Sequence, residues 1–544
     1  MTTARKQRIV GWALALLTVF VVVVNEQEIG IARDETVYFA AGDRYAKWWS
    51  TIFDHGVSEK NINATWGGGM GGGNNPEHPP LVKTLMGVSH TYLAQKLGIF
   101  DELTAYRFPT AVLAGVLVLL VYSLTLALWG FAEAVIAALC TLLLPRALFH
   151  EGLACFDAPI MTLWFATVYA YWRALDGRKW PWQVGVVFGL ALATKHNALL
   201  LPFALGLHYL VVAWRAGRWK GLVFHRPKVI VSLAILGPLT LFVLWPWLWH
   251  APIAHVREWL RFHTTHVHYN FEYLGHNWNA PRFPWHVALV TTLFTVPVAT
   301  LAAAVTGIGV WIANRGTVDR ERAPALLLGL SAAASMGPFF LGTTPIFGAE
   351  KHWMPALPTL CIAAGVGAVW AARAAADFVQ KLKPIGEVVA RRIAIGVVGG
   401  TLVLAAATET VAAQPYALSW YNAAAGGSAG GADLGMNRQF WGVAARGILP
   451  VIGWLPPGRV YSHDASPAWG WYMRLGLLSR NYPDAGHEQA GVNASQYAIV
   501  IHEKHFSRHD YMIWKSYGTV QPIFVLRDDG VPIVSLYKRP PQRR

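Results

Sequence analysis

Two adjacent carboxylates, Asp34-Glu35, stand shortly beyond the first long apolar run of this 544-residue chain. Acids beside hydrocarbon are costly unless they have a partner or a task. Further acids recur in short signatures: Glu77 in Pro76-Glu77-His78-Pro79-Pro80-Leu81, and Asp157 shortly before Pro159. Cations accompany them, with Lys195 in Thr194-Lys195-His196 and Lys351-His352 between Glu350 and Trp353-Met354-Pro355. A carboxylate can take the proton from an acceptor nucleophile, while cations stabilise charge on a departing phosphate. A lysine in an apolar stretch must snorkel or bind an anion, and a lipid phosphate at the bilayer edge is such an anion. Each residue also has a structural reading. Asp34-Glu35 is a solvated loop pair, Asp157 an N-cap before Pro159, Pro79-Pro80-Leu81 a helix start, and His352 an interfacial packing residue.

The elements that must position these groups are membrane helices. The chain is 54% hydrophobic and 14% charged, with 26 Trp, and its mean hydropathy is +0.35. That excludes a soluble domain on one anchor. The formal charge of +15 forms no continuous patch, because the basic residues fall between apolar runs, so nucleic acid is not indicated. Val10–Val24, preceded by Arg5, Lys6 and Arg8, reads as a first span with a cytoplasmic N-terminus, not a cleaved signal peptide. Spans are expected near 9–25, 109–128, 132–149, 159–175, 182–195, 198–213, 229–247, 287–311, 325–343, 355–372 and 394–411, about eleven in all. The intervening cytoplasmic turns then carry Arg173, Arg178, Lys179, Arg215, Arg218, Lys220, Arg226, Lys228, Arg315, Arg320, Arg322, Lys381, Lys383, Arg391 and Arg392. This distribution obeys the positive-inside rule and places the tail outside.

Three segments fall outside the bilayer: a first loop over 26–108, a Trp/His-rich loop over 248–286, and a tail over 412–544. In the first loop, Val37, Ala41, Tyr45 and Trp49 repeat at helical spacing opposite Asp43, Arg44, Lys47 and Ser50, which predicts an interfacial helix. The Gly67–Gly73 tract reads as a hinge, with a gating loop as the alternative. The second loop holds His250, His255, His263, His266, His268 and His276, either at a metal or lining an acceptor cleft among Trp247, Trp249, Trp259 and Trp278. In the tail, strands are expected around Val460-Tyr461, Tyr497–Ile501, Ile523–Val525 and Ile533–Tyr537, with a turn at Asp528-Asp529-Gly530. Cys140, Cys155 and Cys361 all lie in or near spans, so the tail has no disulfide. The sequons at Asn63 and Asn493 face outward and matter only in a host with N-glycosylation.

The order of span, Asp-Glu, interfacial helix, Glu-His-Pro-Pro-Leu, outer-loop Asp, Thr-Lys and Lys-His-Trp-Met-Pro resembles the protein O-mannosyltransferase and aminoarabinose-transferase branch of the GT-C glycosyltransferases over residues 9–372. The tail stretch Pro415–Asn422, with Gly426-Gly427 and Phe440-Trp441-Gly442, is similar to one in bacterial members. The resemblance implies a GT-C α-helical polytopic membrane domain over 1–411 and a small C-terminal α/β extracytoplasmic domain over 412–544. It implies transfer of a sugar from a polyprenyl-phosphate donor to an extracytoplasmic acceptor at the outer face of the cytoplasmic membrane. Asp34 is then the base with Glu35 beside it, and Asp157 is the second acid. His78, Lys195, Lys351 and His352 contact the donor phosphate, and Glu77 stands where relatives have a metal-associated Glu. His78 replaces the usual Lys, which shifts phosphate binding toward Lys195 and Lys351. Whether a divalent metal takes part stays open, as do the sugar and the acceptor.

Two other readings compete. A flippase of lipid-linked sugars would use the same cleft without chemistry, but no internal repeat is apparent. En bloc oligosaccharide transfer would require a Trp-Trp-Asp motif, whereas Trp469-Gly470-Trp471 lacks the acid. No Walker or Rossmann fingerprint points to a nucleotide-sugar donor. The tail could also bind a partner or cell-wall polymer alongside catalysis.

Overall fold

The computed structural model describes residues 2–70, 73–175, 177, 180–224, 227–313, 321–382 and 386–541. Gly71, Gly72, Arg178, Lys179, Arg226, Arg315, Arg320 and Lys383 therefore lie outside the described residues. The chain opens with helix α1 (Thr3–Asn25), then α2 (Arg33–Ser50), the short α3 (Ile52–His55) and α4 (Glu59–Trp66), and α5 (Leu81–Ser89). Helices α6 (Glu102–Leu128), α7 (Phe131–Leu142), α8 (Pro145–Glu151) and α9 (Asp157–Ala174) follow. Next come α10 (Trp182–Leu192), α11 (Leu201–Phe224), α12 (Pro227–Leu244) and α13 (Pro252–Thr264). The helical part ends with α14 (Val287–Thr295), α15 (Val298–Ile312), α16 (Pro324–Met336), α17 (Leu357–Leu382) and α18 (Glu387–Ala413).

Among the described residues, five helices are long and apolar enough to cross a membrane, or six if the pair α7–α8, bent by 67°, makes one span. Shorter apolar helices of 10–17 residues accompany them, because several apolar runs are interrupted. Pro145 follows the break between α7 and α8, and Pro297 separates α14 from α15. Gly337-Pro338 ends α16 in a tighter turn. Helix α10 has only 11 residues. Helix α9 is buried on nearly every side, so its hydroxyl-bearing residues face protein. With several apolar helices of this kind packed together, the chain is a multi-pass membrane protein.

Helix α2 packs one face on protein. Its buried face is Tyr38, Phe39, Ala41, Gly42, Tyr45 and Trp48; it includes Ala41 and Tyr45 of the stripe read from sequence and leaves Val37 exposed. That face packs on α5, where a Cβ on Gly87 would collide with the Gly42 carbonyl, so only glycines permit this approach. Tyr45 stacks on Trp66 at 4.0 Å.

The Trp/His-rich loop holds an unforeseen hairpin of β1 (Phe271–Tyr273) and β2 (His276–Trp278). Its two-residue loop, Leu274-Gly275, has both residues at positive φ, a tight turn usually announced by Asn-Gly or Asp-Gly. The tail carries β3 (Val460–Ser462), β4 (Tyr497–Ile501), β5 (Phe524–Asp528) and β6 (Val531–Lys538) in the order β3-β4-β6-β5. β3 and β4 are parallel, and the other pairs are antiparallel. The expected turn is there, with Asp529 and Gly530 both at positive φ. One apolar core joins residues of α2 and the turns around it (Ile29, Ile31, Phe39, Phe156) to Leu418, Trp441, Trp469, Ile499 and Leu536 of the tail. The sheet is thus sealed to the helical part.

Candidate active site

Asp34 and Glu35 sit in the first turn of α2, where acidic side chains are favoured, yet their surroundings differ completely. Glu35 is fully buried. Its oxygens accept from Arg107 Nε (2.9 Å) and Nη2 (2.8 Å) and from the backbone N–H groups of Ala32 and Ala154, both at 2.7 Å. Four donors fill that carboxylate, so Glu35 holds the helix start, and the geometry gives it no opening toward a substrate. Asp34 is one-third exposed. One oxygen accepts from the Trp441 indole N–H at 2.9 Å, and the other lies 3.5 Å from Arg33 Nε. Arg33 also pairs with Asp464 of the tail at 2.7 Å.

Asp157 begins α9 and meets the Lys195 ammonium at 2.6 Å, both groups being almost wholly buried. Burial alone would raise the Asp157 carboxyl, but Lys195, Lys351 and His150 hold it well below the usual carboxylate range. Lys195 comes from the break between α10 and the tight turn His196–Leu200. The two distant sequence signatures therefore form one ion pair.

Lys351 lies in a single tight turn, Ala349–His352. Among the described residues no carboxylate pairs with its ammonium, which instead faces aromatic rings: Trp441 at 3.9 Å, Phe440 at 4.4 Å and Phe347 at 4.8 Å from their centroids. Burial pushes this lysine down to about 8, while Asp157 and Asp34 pull it the other way. The turn is anchored by Glu350, which takes Arg146 at 2.7 Å; Arg146 also donates to the Trp420 carbonyl. His352 is occupied by its own loop, its Nε2 lying 2.7 Å from the Phe347 carbonyl. That arrangement makes it a brace for the Lys351 turn and occupies its Nε2.

His78 is half-buried between Phe156, at 4.6 Å, and His263, at 5.7 Å between ring centroids. Burial, with Lys83 nearby, pushes its imidazole well below the usual value, so it is neutral at pH 7. Glu77 accepts from Asn75 through one oxygen, and its other oxygen is buried without a partner. Lys83, which sequence reading passed over, donates to the Asn75 carbonyl and side chain and to the His78 carbonyl, all within 2.8 Å. It fixes the loop that presents Glu77-His78. Its signal was a lysine on the apolar face of α5. Arg107 was missed as well, although an arginine entering an apolar run was the cue. Trp441 was noted only as part of a tail motif.

The outer-loop histidines do not gather. His263 Nε2 lies 2.9 Å from the Glu77 carbonyl and stacks on His196 at 3.7 Å, whereas His255 stacks on Trp247. Among the described residues no group of three or more His, Cys, Asp or Glu side chains could hold a metal ion. The unpartnered Glu77 oxygen invites a donor, but the side chains around it do not amount to a metal-ligand set, and no chemical step is assigned to a metal.

Three comparisons place this arrangement. Residues 77–245 match the family model described as dolichyl-phosphate-mannose-protein mannosyltransferase. The structure is similar to ArnT from Cupriavidus metallidurans in the apo state, with a TM-score of 0.52 and 15% identity over 98% of each chain. The ArnT structure bound to undecaprenyl phosphate gives 0.52 and 15%, over 97% of each chain. The archaeal oligosaccharyltransferase AglB from Archaeoglobus fulgidus, in complex with an inhibitory peptide and a dolichol-phosphate, gives 0.51 and 11%, over 98% of this chain and 74% of that one. No curated protein sequence matches. The chain thus has the fold of ArnT and AglB, and over residues 77–245 it is similar to the mannosyltransferases that family model describes.

Proposed function

We propose that this protein is a membrane glycosyltransferase that moves a sugar from a polyprenyl-phosphate donor to an acceptor on the outer face of the cytoplasmic membrane. The observation that carries this reading is Lys351: a buried ammonium with no carboxylate partner among the described residues, boxed by aromatic rings and in the field of both Asp34 and Asp157. A cation so placed is set to receive an anion, and the acids beside it are a candidate base and an ion-paired partner. The bound undecaprenyl phosphate of ArnT and dolichol-phosphate of AglB, proteins of like fold, support a lipid phosphate as that anion.

In this mechanism the donor phosphate sits against Lys351, with Lys195 held on Asp157 behind it. Asp34 takes the proton from the acceptor hydroxyl or amine, the acceptor attacks the anomeric carbon, and the sugar–phosphate bond breaks with inversion. The lipid phosphate departs with its charge on the Lys351 side. His78, being neutral, contributes shape and hydrogen bonding.

The test is transfer of radiolabelled sugar from short-chain polyprenyl-phosphate donors to a membrane extract, comparing wild type with Asp34→Asn. Label should move only with wild type, while the variant stays folded. Full transfer by Asp34→Asn would remove the central claim. Passage of lipid-linked sugar across the bilayer without any transfer would replace it with transport.

A further inference from the structure

A tail residue stands inside the candidate site. Trp441 is 2% exposed and makes three separate connections to it. Its carbonyl accepts the Arg33 N–H at 3.0 Å, its indole N–H donates to Asp34 at 2.9 Å, and its ring face receives Lys351 at 3.9 Å. Its backbone lies at φ 68°, a left-handed conformation unfavourable for a residue with a large side chain. Such an outlier persists only where its surroundings over-determine it, which the three contacts do. Beside it, the end of β3 continues into Asp464, which holds Arg33. One oxygen of Asp464 and one of Glu503 are buried without a partner, and burial pushes the Glu503 carboxyl well above its usual range.

We propose that the tail completes the active centre, with Trp441 as a positioning residue that aims the Asp34 carboxylate and caps Lys351, and Asp464 as the anchor that keeps Arg33 from claiming Asp34. This inference rests on the glycosyltransferase reading and extends it to a segment of the chain with no assigned role. One indole couples the base to the phosphate-binding cation, so the two halves of the reaction share a single support. The charged and titratable groups facing Asp34 are Arg33 and Tyr38 on its own helix, Cys155 before α9, Lys351 on its turn, and Asp464 on the tail, whose other neighbour is Glu503.

The experiment is the pH profile of kcat/KM for sugar transfer by the full-length protein in detergent, for wild type, Trp441→Phe and Asp464→Asn. Phenylalanine keeps a ring for Lys351 but removes the N–H donated to the ionised acid. The acidic limb should move up by about one pH unit, with transfer below that limb falling about tenfold and donor KM changing less than about twofold. Asp464→Asn releases Arg33 from its 2.7 Å pair, lets the guanidinium close on Asp34 from 3.5 Å and should move the same limb downward. If both variants are monodisperse and their limbs superimpose on wild type, the inference is overturned. If Trp441→Phe does not fold, the direction of the Asp464→Asn shift alone decides. Transfer that depends on Asp34 but ignores both substitutions would sink this inference and spare the function. Absence of transfer by wild type would sink both.

Discussion

Side chains that share a sequence signature part company in space. Asp34 and Glu35 are neighbours, yet one is open to the outside and the other is filled by four donors. The sequence shows that an acid near hydrocarbon needs a reason; it does not show which reason, because the deciding partners, Arg107 and Trp441, are remote in the chain. Lys195 and Lys351 were legible for the same cause: a lysine amid apolar residues is expensive. Lys351 also makes a prediction with a definite sign. Its ammonium is lowered to about 8, so the cation is present at pH 7 and is lost as pH rises past that value. Donor KM should be flat below about pH 7.5 and climb up to about tenfold per unit above about 8.5. Lys351→Ala should raise donor KM below about pH 8 and converge on wild type above it, while Lys351→Arg should abolish the climb because guanidinium stays charged. Steady-state kinetics across pH check this; an unchanged KM in Lys351→Ala argues against the phosphate role.

At the scale of elements, the start of α2 depends on one buried ion pair between Glu35 and the Arg107 guanidinium of α6. Arg107→Leu leaves Glu35 as an uncompensated buried charge, and we expect about 3–5 kcal/mol of lost stability. Glu35→Gln with Arg107→Leu should recover part of it. Denaturant unfolding in detergent reads both, and an unchanged midpoint for the single variant would contradict the pair's structural weight. The helices themselves were visible as apolar runs, but their breaks were not. The bend between α7 and α8 and the split at Pro297 convert uniform spans into pieces. Hydropathy averages across such breaks, whereas proline interrupts the backbone ladder at one residue. Amphipathicity in α2 reports that one face is covered, and α5 covers it.

For the whole molecule, the strands of the tail were legible from alternation and from Asp529-Gly530, but its attachment was not, since no local pattern announces a core shared with residues 29–156. A chain ending at Ala413 retains every helix long and apolar enough to cross a membrane. It nevertheless loses Trp441, Asp464 and more than half of that core. We expect it to accumulate poorly and to give no transfer, and membrane-fraction yield with the radiolabel assay measures both; normal transfer would show the tail to be dispensable. The joining of distant parts of the chain also has a consequence in time. Trp441 follows Asp34 by 407 residues, so the carboxylate is made well before the indole that holds it. Under the proposed function, sugar transfer waits on the docking of the tail.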